Sequence, residues 1–575
     1  MLMKQAAVHL APLTGLEEEE VLKLLEIPPQ PELGDAAFPC FVLAKSRKKA
    51  PAAIAAEIAG ELKTADFTAV AAGPYVNIQF NREKWSSELL EWVGQPSFGK
   101  LNIGNDARVL IDMSSPNIAK PFGIGHLRST VIGAALYRLY SEAGYVPVSV
   151  NHLGDWGTQF GKQIAAYKRW GNDEALQAEP IRTSLELYVR FHDEAENDPT
   201  LETEAREWFR KLEQGDEEAR RLWAFFVEVS MKEFDRMYER LNVQFDHTLG
   251  ESFYNDKMGA VVEDLKTKGL LEESDGALVV RLEEENMPPC LIIKKDGTTI
   301  YPTRDLATAV YRHDVMEADK LLYVVGGEQK LHFKQVFAVL SRMGYEWAAD
   351  CEHIPFGLMR FEGRKMSTRR GKVVFLQEVL DEAVARALQI IEEKNPNLDN
   401  AQDVAEAVGV GAIVFGDLRN NRLNDVDFSL ESAVSFEGET GPYVQYTYAR
   451  INSVLAKVED ANNDSENGQL ASSNDTEFND VAGRAATVGD ASWTLLKLLA
   501  DYPQYLEKAV GRNEPSVIAK YAIDLAQAFN RFYHAERIAD APAEVRPFRV
   551  NLTKCTAERI VRSLYLLGVR APERM

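Results

Sequence analysis

The segment from Arg108 to Tyr145 restricts the fold more than any other part of the chain. RVLIDMSS reads as a strand ending near Ser115, and GHLRSTVIGAALYRLYSEAGY as a helix that begins near Gly125 and closes at Gly144. Strand, loop and helix in that order form the unit of a parallel α/β sheet. A second strand-helix pair, ADKLLYVVGGEQKLHFKQVFAVLSRMGY, follows further along. Between the two pairs, residues 160–290 carry long, charged amphipathic helices such as EEARRLWAFFVEVSMKEFDRMYERL. That pattern reads as a helical insertion between two halves of one parallel sheet.

The flanks have other textures. Residues 1–105 look like a small α+β domain: AAIAAEIAGEL has helical periodicity, and GPYVNIQFN alternates Val76, Ile78 and Phe80 as a half-buried strand does. After about residue 440 the chain turns helical, with Trp493, Leu496 and Leu499, then Val517, Tyr521 and Leu525, at helical spacing. The stretch EDANNDSENGQLASSNDTEFND between these helices reads as a mobile surface loop. A chain of 575 residues is too long for one core. The expected division is 1–105, 106–435 and 436–575, with no internal repeat.

Composition excludes several classes. An apolar content of 45% with 27% charged residues is that of a soluble globular protein. No apolar run approaches the roughly eighteen residues a membrane span needs. The beginning, MLMKQAAVHLAPLTGLEEEE, has no basic-then-apolar export pattern. Cys40, Cys290, Cys351 and Cys555 stand far apart without CxxC spacing, so reduced, buried thiols are expected rather than disulfides or a metal site. Together these features predict a cytoplasmic protein. The net charge of −23 makes a poor general binder of nucleic acid. Any such role must rest on local basic runs, of which there are two: KSRKK (Lys45 to Lys49) and GRKMSTRRGK (Gly363 to Lys372).

The loop SSPNIAKPFGIGHLRST has the makings of a phosphate site. Unpaired N–H groups and partial positive charge at a helix N-terminus favour phosphate. Gly123 and Gly125 let a nucleotide lie close to the backbone, and Lys120 and His126 can reach phosphate oxygens. Taken alone, the glycines equally fit an ordinary tight turn. The run FEGRKMSTRRGKVV packs Arg364, Lys365, Arg369, Arg370 and Lys372 together, a cationic flap able to neutralise charge on leaving phosphates. Taken alone, it equally fits a solvated surface.

The two elements together have the layout of a class I aminoacyl-tRNA synthetase, with an HxGH-type signature after the first strand and a KMSKS-type loop after the last. Nearly end to end, the chain resembles the arginyl-tRNA synthetases. The motifs SSPNIAKPFGIGHLRST, NHLGDWGTQFG, YPTRDLATA, GGEQKLHFKQ, GRKMSTRRGKVV, GPYVQYTYARI and LLGVRAPERM occur in order, and ELGDAAFPCFVLAK and GPYVNIQFN resemble that family's N-terminal domain. The resemblance implies a Rossmann-like parallel-sheet catalytic domain with a helical insertion. It also implies an α+β N-terminal domain that binds the tRNA elbow and an all-α C-terminal anticodon-binding bundle. The reaction implied has two steps. Arginine's carboxylate attacks the α-phosphorus of ATP and expels pyrophosphate, and the acyl group then passes to the terminal adenosine 2′-hydroxyl of tRNA(Arg). Family members characteristically need bound tRNA for the first step, carry Mg2+ with ATP rather than on the protein, and are usually monomers.

By that resemblance, Lys120, His126 and Lys365 are the catalytic residues. Gly123, Gly125, His126, His332, Lys365, Met366, Ser367 and Arg369 line the ATP site. Tyr301 and Asp305, four apart on a helix, suit a guanidinium: a carboxylate takes a bidentate pair and a ring lies against the plane. An ion pair of Asp305 with Arg304 or Arg312 is the ordinary alternative. Asn117 and Gln329 are expected to hold the amino-acid head, with Asp112 and Glu251 as further acceptors. Against tRNA the candidates are Lys45, Arg47 and Lys48, and the aromatic residues Tyr446 and Phe532, for which a core role competes.

Two positions depart from the family pattern. Gly123 stands where a histidine is usual, and Thr368 where the flap usually has a second lysine. Lys120 occupies the place of a lysine found in arginyl enzymes that lack the flap lysine. Losing a donor to a developing oxyanion costs on the order of 100-fold in rate. The departures therefore keep open a tRNA-binding paralogue with weak or no aminoacylation; the other alternative, a class I synthetase of other specificity, is weighed against by YPTRD and SSPNIAK.

Overall fold

The computed structural model describes residues 1–120, 122–361, 375–466 and 488–575. Contacts divide the chain into two compact units, one of residues 99–450, 503–526 and 560–575, the other of residues 1–98, 451–502 and 527–559.

The larger unit is built on a five-stranded parallel sheet. Its strands are β1 (Arg108–Asp112), β2 (Val146–Asn151), β3 (His247–Thr248), β4 (Lys320–Gly326) and β5 (Cys351–Phe356), in the spatial order β5-β4-β1-β2-β3. The chain runs outward from β1 through β2 to β3, then restarts at β4 on the other side of β1. That reversal is a topological switch point, where ligands bind at the C-terminal ends of the strands. Val109, Leu110 and Ile111 are all buried, as befits a strand covered on both faces. The predicted strand stops at Asp112 rather than Ser115, because Ser114 and Ser115 adopt left-handed φ values of 71° and 52°.

Four helices position the site: α1 (Ile124–Glu142), α2 (Glu217–Arg240), α3 (Tyr301–Asp314) and α4 (Lys330–Arg342). Residues 158–240 are helical and hold a small core of Ala165, Ala166, Leu187, Phe191, Leu201 and Ala205. Beyond them the chain changes character. Three short antiparallel strands, Glu272–Ser274, Ala277–Val280 and Cys290–Ile293, pack into the core shared with α3, α4 and β4, an arrangement the helical reading of 160–290 did not anticipate.

Helix α1 carries a buried cation. Arg128 is 1% exposed; its Nη1 donates to the carbonyls of Gly357 (2.7 Å) and Asn424 (2.9 Å), and its Nε lies 2.9 Å from the equally buried Asp417. Asp417 belongs to α5 (Ala401–Leu418), and burial pushes its pKa up to about 6 against the pull of Arg128.

In the smaller unit, strands Ala36–Pro39, Tyr75–Phe80 and Phe67–Ala72 form an antiparallel sheet with Tyr75–Phe80 in the centre. Val76, Ile78 and Phe80 point into its core. Asp35 takes hydrogen bonds from the Trp493 indole (2.9 Å), the Phe80 amide (3.0 Å) and Lys497, tying this sheet to helix Asp490–Ala500. Trp493, Leu496 and Leu499 are buried as their spacing predicts. In the larger unit Tyr521 and Leu525 are buried too, whereas Val517 is half-buried. The polar stretch expected as a loop is helical up to Glu466, where helix Gly441–Glu466 ends; its remainder lies outside the described residues.

All four cysteines are unpaired and buried. Among the described residues no helix is long and apolar enough to cross a membrane.

Candidate active site

The site gathers at the C-terminal ends of β1, β2, β3 and β4. Residues 113–120 leave β1, turn through the left-handed Ser114 and Ser115, and run beside the loop after β2: Ile118 N–H donates to the Gly154 carbonyl (3.1 Å), and Gly154 N–H to that of Pro116 (3.0 Å). The Asn117 side chain fills the space beside Gly154, where an added Cβ would sit 2.3 Å from Asn117 Oδ1. Only glycine permits that approach. The motif NHLGDWG contains this glycine, and sequence reasoning gave it no role.

At the start of α1 the two glycines do different work. Gly123 is buried and extended, and it bridges to Phe375. Its N–H donates to His126 Nδ1 at 3.2 Å. Gly125 is exposed, with nothing within 4 Å of an added Cβ. Burial, and to a smaller degree the charge of Lys120, pushes the His126 pKa down to about 4. The ring is therefore neutral near pH 7. With Nδ1 accepting from Gly123, Nε2 holds the proton and is the donor. Lys120 is half-buried, its ammonium 5.8 Å from the Tyr188 ring centre.

Four carboxylates lie close together around His152 and Glu251, and three have partners that spend them. Asp112 Oδ2 lies 2.7 Å from the fully buried Arg312, and its Oδ1 accepts from Ser115 Oγ (2.9 Å). Glu251 is 3.1 Å from Arg304. Asp155 caps Ser252 through its N–H (2.8 Å) and Oγ (2.6 Å). Asp305 is different: its hydrogen-bond partner among the described residues is His332 Nε2, at 2.5 Å. The alternative pairing of Asp305 with Arg304 or Arg312 does not form, since each guanidinium serves another carboxylate.

Several expectations change as a result. Asp112 is no open acceptor for a substrate cation, because the chain's own Arg312 neutralises it. Glu251 is likewise paired, and burial raises its pKa to about 7. His332, expected on the ATP side, has its Nε2 2.5 Å from Asp305. Tyr301 opens α3 and is 61% exposed, with the Arg304 guanidinium 5.9 Å from its ring centre. Gln329 is exposed just before α4. Lys365, Met366, Ser367 and Arg369, with Thr368, lie outside the described residues. His152, which sequence reasoning missed, follows β2 and has a buried Nδ1 with no hydrogen-bond partner among the described residues. Burial depresses its pKa, and Asp112, Asp305 and Asp155 all pull the other way, so the imidazole lies among these carboxylates.

Of the tRNA candidates, Lys45 and Lys48 are exposed, but Arg47 donates to the Leu13 carbonyl and is part of its own domain's packing. Tyr446 is half-buried, with Lys394 and Arg450 at 5.4 and 5.1 Å from its ring centre. Phe532 is fully buried, so it stacks on no base.

Comparison with known proteins fits this geometry. Residues 93–430 match the family model described as tRNA synthetases class I (R), catalytic domain. Residues 444–575 match the DALR anticodon binding domain, and residues 2–80 the arginyl tRNA synthetase N terminal domain. The arginine–tRNA ligase of Streptococcus pneumoniae (strain CGSP14) is 53% identical over 98% of this chain and 97% of its own. The chain belongs to the arginyl-tRNA synthetase family.

Arginine–tRNA ligase 2 of Bacillus anthracis is a further relative, 50% identical over 97% of each chain. The arginyl-tRNA synthetase of Thermus thermophilus superposes over the full length of both chains with a TM-score of 0.79 at 26% identity. That of Plasmodium falciparum, at 22% identity, shares the fold with a TM-score of 0.76 over 100% of this chain and 98% of its own. In this arginyl-tRNA synthetase family member, the signature turn with Gly123 is intact as a folded element.

Proposed function

We propose that the chain ligates L-arginine to tRNA(Arg) through an arginyl-adenylate, using ATP. The observation that carries this reading is Asp305. Among the four carboxylates it alone faces a histidine rather than a guanidinium or a capping role, which leaves it for a substrate cation. Tyr301, one helical turn before it and exposed, lies against the guanidinium plane. Asn117 and Gln329 hold the amino and carboxyl groups.

ATP lies across Gly125, whose open surface lets the nucleotide approach the backbone. His126 donates from Nε2 to a phosphate oxygen as a neutral ring, fixed by the Gly123 amide. Lys120 supplies a cation where negative charge grows. Gly123 thus keeps a role through its backbone although it brings no imidazole. The run from Arg364 to Lys372 contributes further cations by its sequence, and Mg2+ arrives with the phosphates of ATP. The arginine carboxylate attacks the α-phosphorus, the bond to the bridging oxygen breaks, and pyrophosphate leaves with the electron pair. The tRNA 2′-hydroxyl then attacks the acyl carbon and AMP departs. Lys45 and Lys48 meet tRNA phosphates, and the DALR region meets the anticodon.

The test is ATP–pyrophosphate exchange with arginine and a panel of other amino acids, with and without total tRNA. Exchange that requires both arginine and tRNA is expected. Exchange with a different amino acid would reassign the specificity, and tRNA binding without any exchange would reduce the chain to a binding protein.

A further inference from the structure

Helix α2 of the insertion reaches into the signature loop along one face. Ser230, Phe234 and Tyr238 recur at four-residue spacing, so they line one side of the helix. Ser230 Oγ accepts the Ala119 N–H at 3.0 Å, and Ala119 is itself left-handed, with φ of 58°. The rings of Phe234 and Tyr238 lie 5.7 and 5.5 Å from that of Phe122, the residue before Gly123. Tyr238 Oη is 2.9 Å from Ser114 Oγ and accepts from Asn151 Nδ2 at 3.0 Å. Ser114, Thr130, Asn151, Ser230 and Tyr238 are all buried.

Donor counting orders these contacts into one directed chain. Asn151 Oδ1 accepts the Ser115 N–H (3.2 Å), which fixes its amide and leaves Nδ2 to donate to Tyr238. Tyr238, already accepting, gives its proton to Ser114 Oγ. Thr130 Oγ1 lies 2.8 Å from both Ser114 Oγ and the His126 carbonyl. Its single proton goes to the carbonyl, which can only accept, so Ser114 donates to Thr130. The relay runs from Asn151 through Tyr238, Ser114 and Thr130 to the backbone of His126. Aligned hydroxyls of this kind strengthen one another. They hold two adjacent left-handed serines that no glycine relieves, a conformation that persists only when its surroundings over-determine it.

We propose that Tyr238 and Ser230 are positioning residues for adenylate formation. From the insertion they set the course of residues 114–120 and 122–126, and with it the placement of Lys120 and His126. The proposal rests on the roles given to those two residues above.

Tyr238→Phe removes one hydroxyl and keeps the ring against Phe122. Tyr140→Phe is its control, because the Tyr140 hydroxyl makes a comparably buried hydrogen bond, to Asn513 Oδ1 at 2.8 Å, away from the site. Both variants, with Ser230→Ala and Lys120→Ala, are measured in the full-length protein by arginine- and tRNA-dependent ATP–pyrophosphate exchange and by thermal midpoint. The expected result is a kcat about tenfold lower for Tyr238→Phe, an unchanged arginine KM, a similar fall for Ser230→Ala, and wild-type kcat for Tyr140→Phe at a similar midpoint. Wild-type kcat in Tyr238→Phe overturns the proposal, and so does an equal fall in Tyr140→Phe. If Lys120→Ala alone is neutral, the phosphate role of Lys120 fails while the relay to His126 stands.

Discussion

Asp305 and Glu251 lie close together and have different partners, His332 and Arg304. Asp305→Asn removes the charge proposed above to hold the substrate guanidinium, and a charge-assisted pair contributes about 2–3 kcal/mol. Arginine KM should rise about 30- to 100-fold in steady-state exchange while ATP KM holds. Glu251 is a carboxyl that burial keeps protonated up to about pH 7 even with Arg304 beside it. A folded-state pKa above the unfolded value adds stability that is complete below the ordinary carboxylate range and is lost as pH rises through 7. The melting-temperature advantage of wild type over Glu251→Gln should therefore shrink from pH 5 to pH 8, and a constant difference would refute the assignment. At this scale the sequence was legible in part. Tyr301 and Asp305 four apart fitted a cation site and an ordinary ion pair alike, and the structure removes the ion pair, since Arg304 and Arg312 serve Glu251 and Asp112. That Asp112 and Glu251 were already occupied could not be seen, because their partners Arg312 and Arg304 come from a distant helix and only tertiary structure brings them together.

Among the elements, α1 begins at the signature turn and is buried along most of its length. Gly133 lies mid-helix, where alanine ordinarily gains about 1 kcal/mol. Here an added Cβ would fall 2.3 Å from the Met113 Cβ, on the residue before the left-handed serines. Gly133→Ala should lower the melting temperature by several degrees, as overpacking of about 1–3 kcal/mol implies, and lower kcat with it. Arg128 is the other fixed point. Arg128→Leu strips a buried aspartate of its partner and two carbonyls of their donor, a change that costs about 3–5 kcal/mol. Because Asp417 takes up a proton near pH 6, that loss should be smaller at pH 5 than at pH 8, as denaturation at both values would show. Helical periodicity placed α1 well, but a buried arginine reads as surface until its carbonyl partners are seen. The strands of 272–293 were hidden for another reason: they are too short to set up an alternating pattern.

For the whole molecule the net charge of −23 sets the terms on which tRNA is held. Repulsion acts over the Debye length, so attraction has to come from a few exposed cations. Lys45 and Lys48 are exposed and are the proposed contacts, whereas Arg47 is committed to the Leu13 carbonyl. The double variant Lys45→Ala/Lys48→Ala should weaken tRNA binding and lower the slope of log affinity against log salt by about 2, leaving arginine KM unchanged. An identical slope would remove these lysines from the interface. The order of textures along the chain, α+β, then α/β, then helical, was readable because each has its own period. Phe532 was not, since an aromatic residue at helical spacing serves core and base stacking alike.

The four buried thiols have a practical consequence. Burial pushes Cys40 up to about 11 and Cys290, Cys351 and Cys555 up to about 12, so none offers a thiolate to a reagent while its surroundings stay closed. Cys40 and Cys555 belong to the smaller unit, Cys290 and Cys351 to the larger. The protein thus carries its own pair of breathing gauges: alkylation followed site by site would clock the opening of each unit separately, with no label introduced and no residue changed.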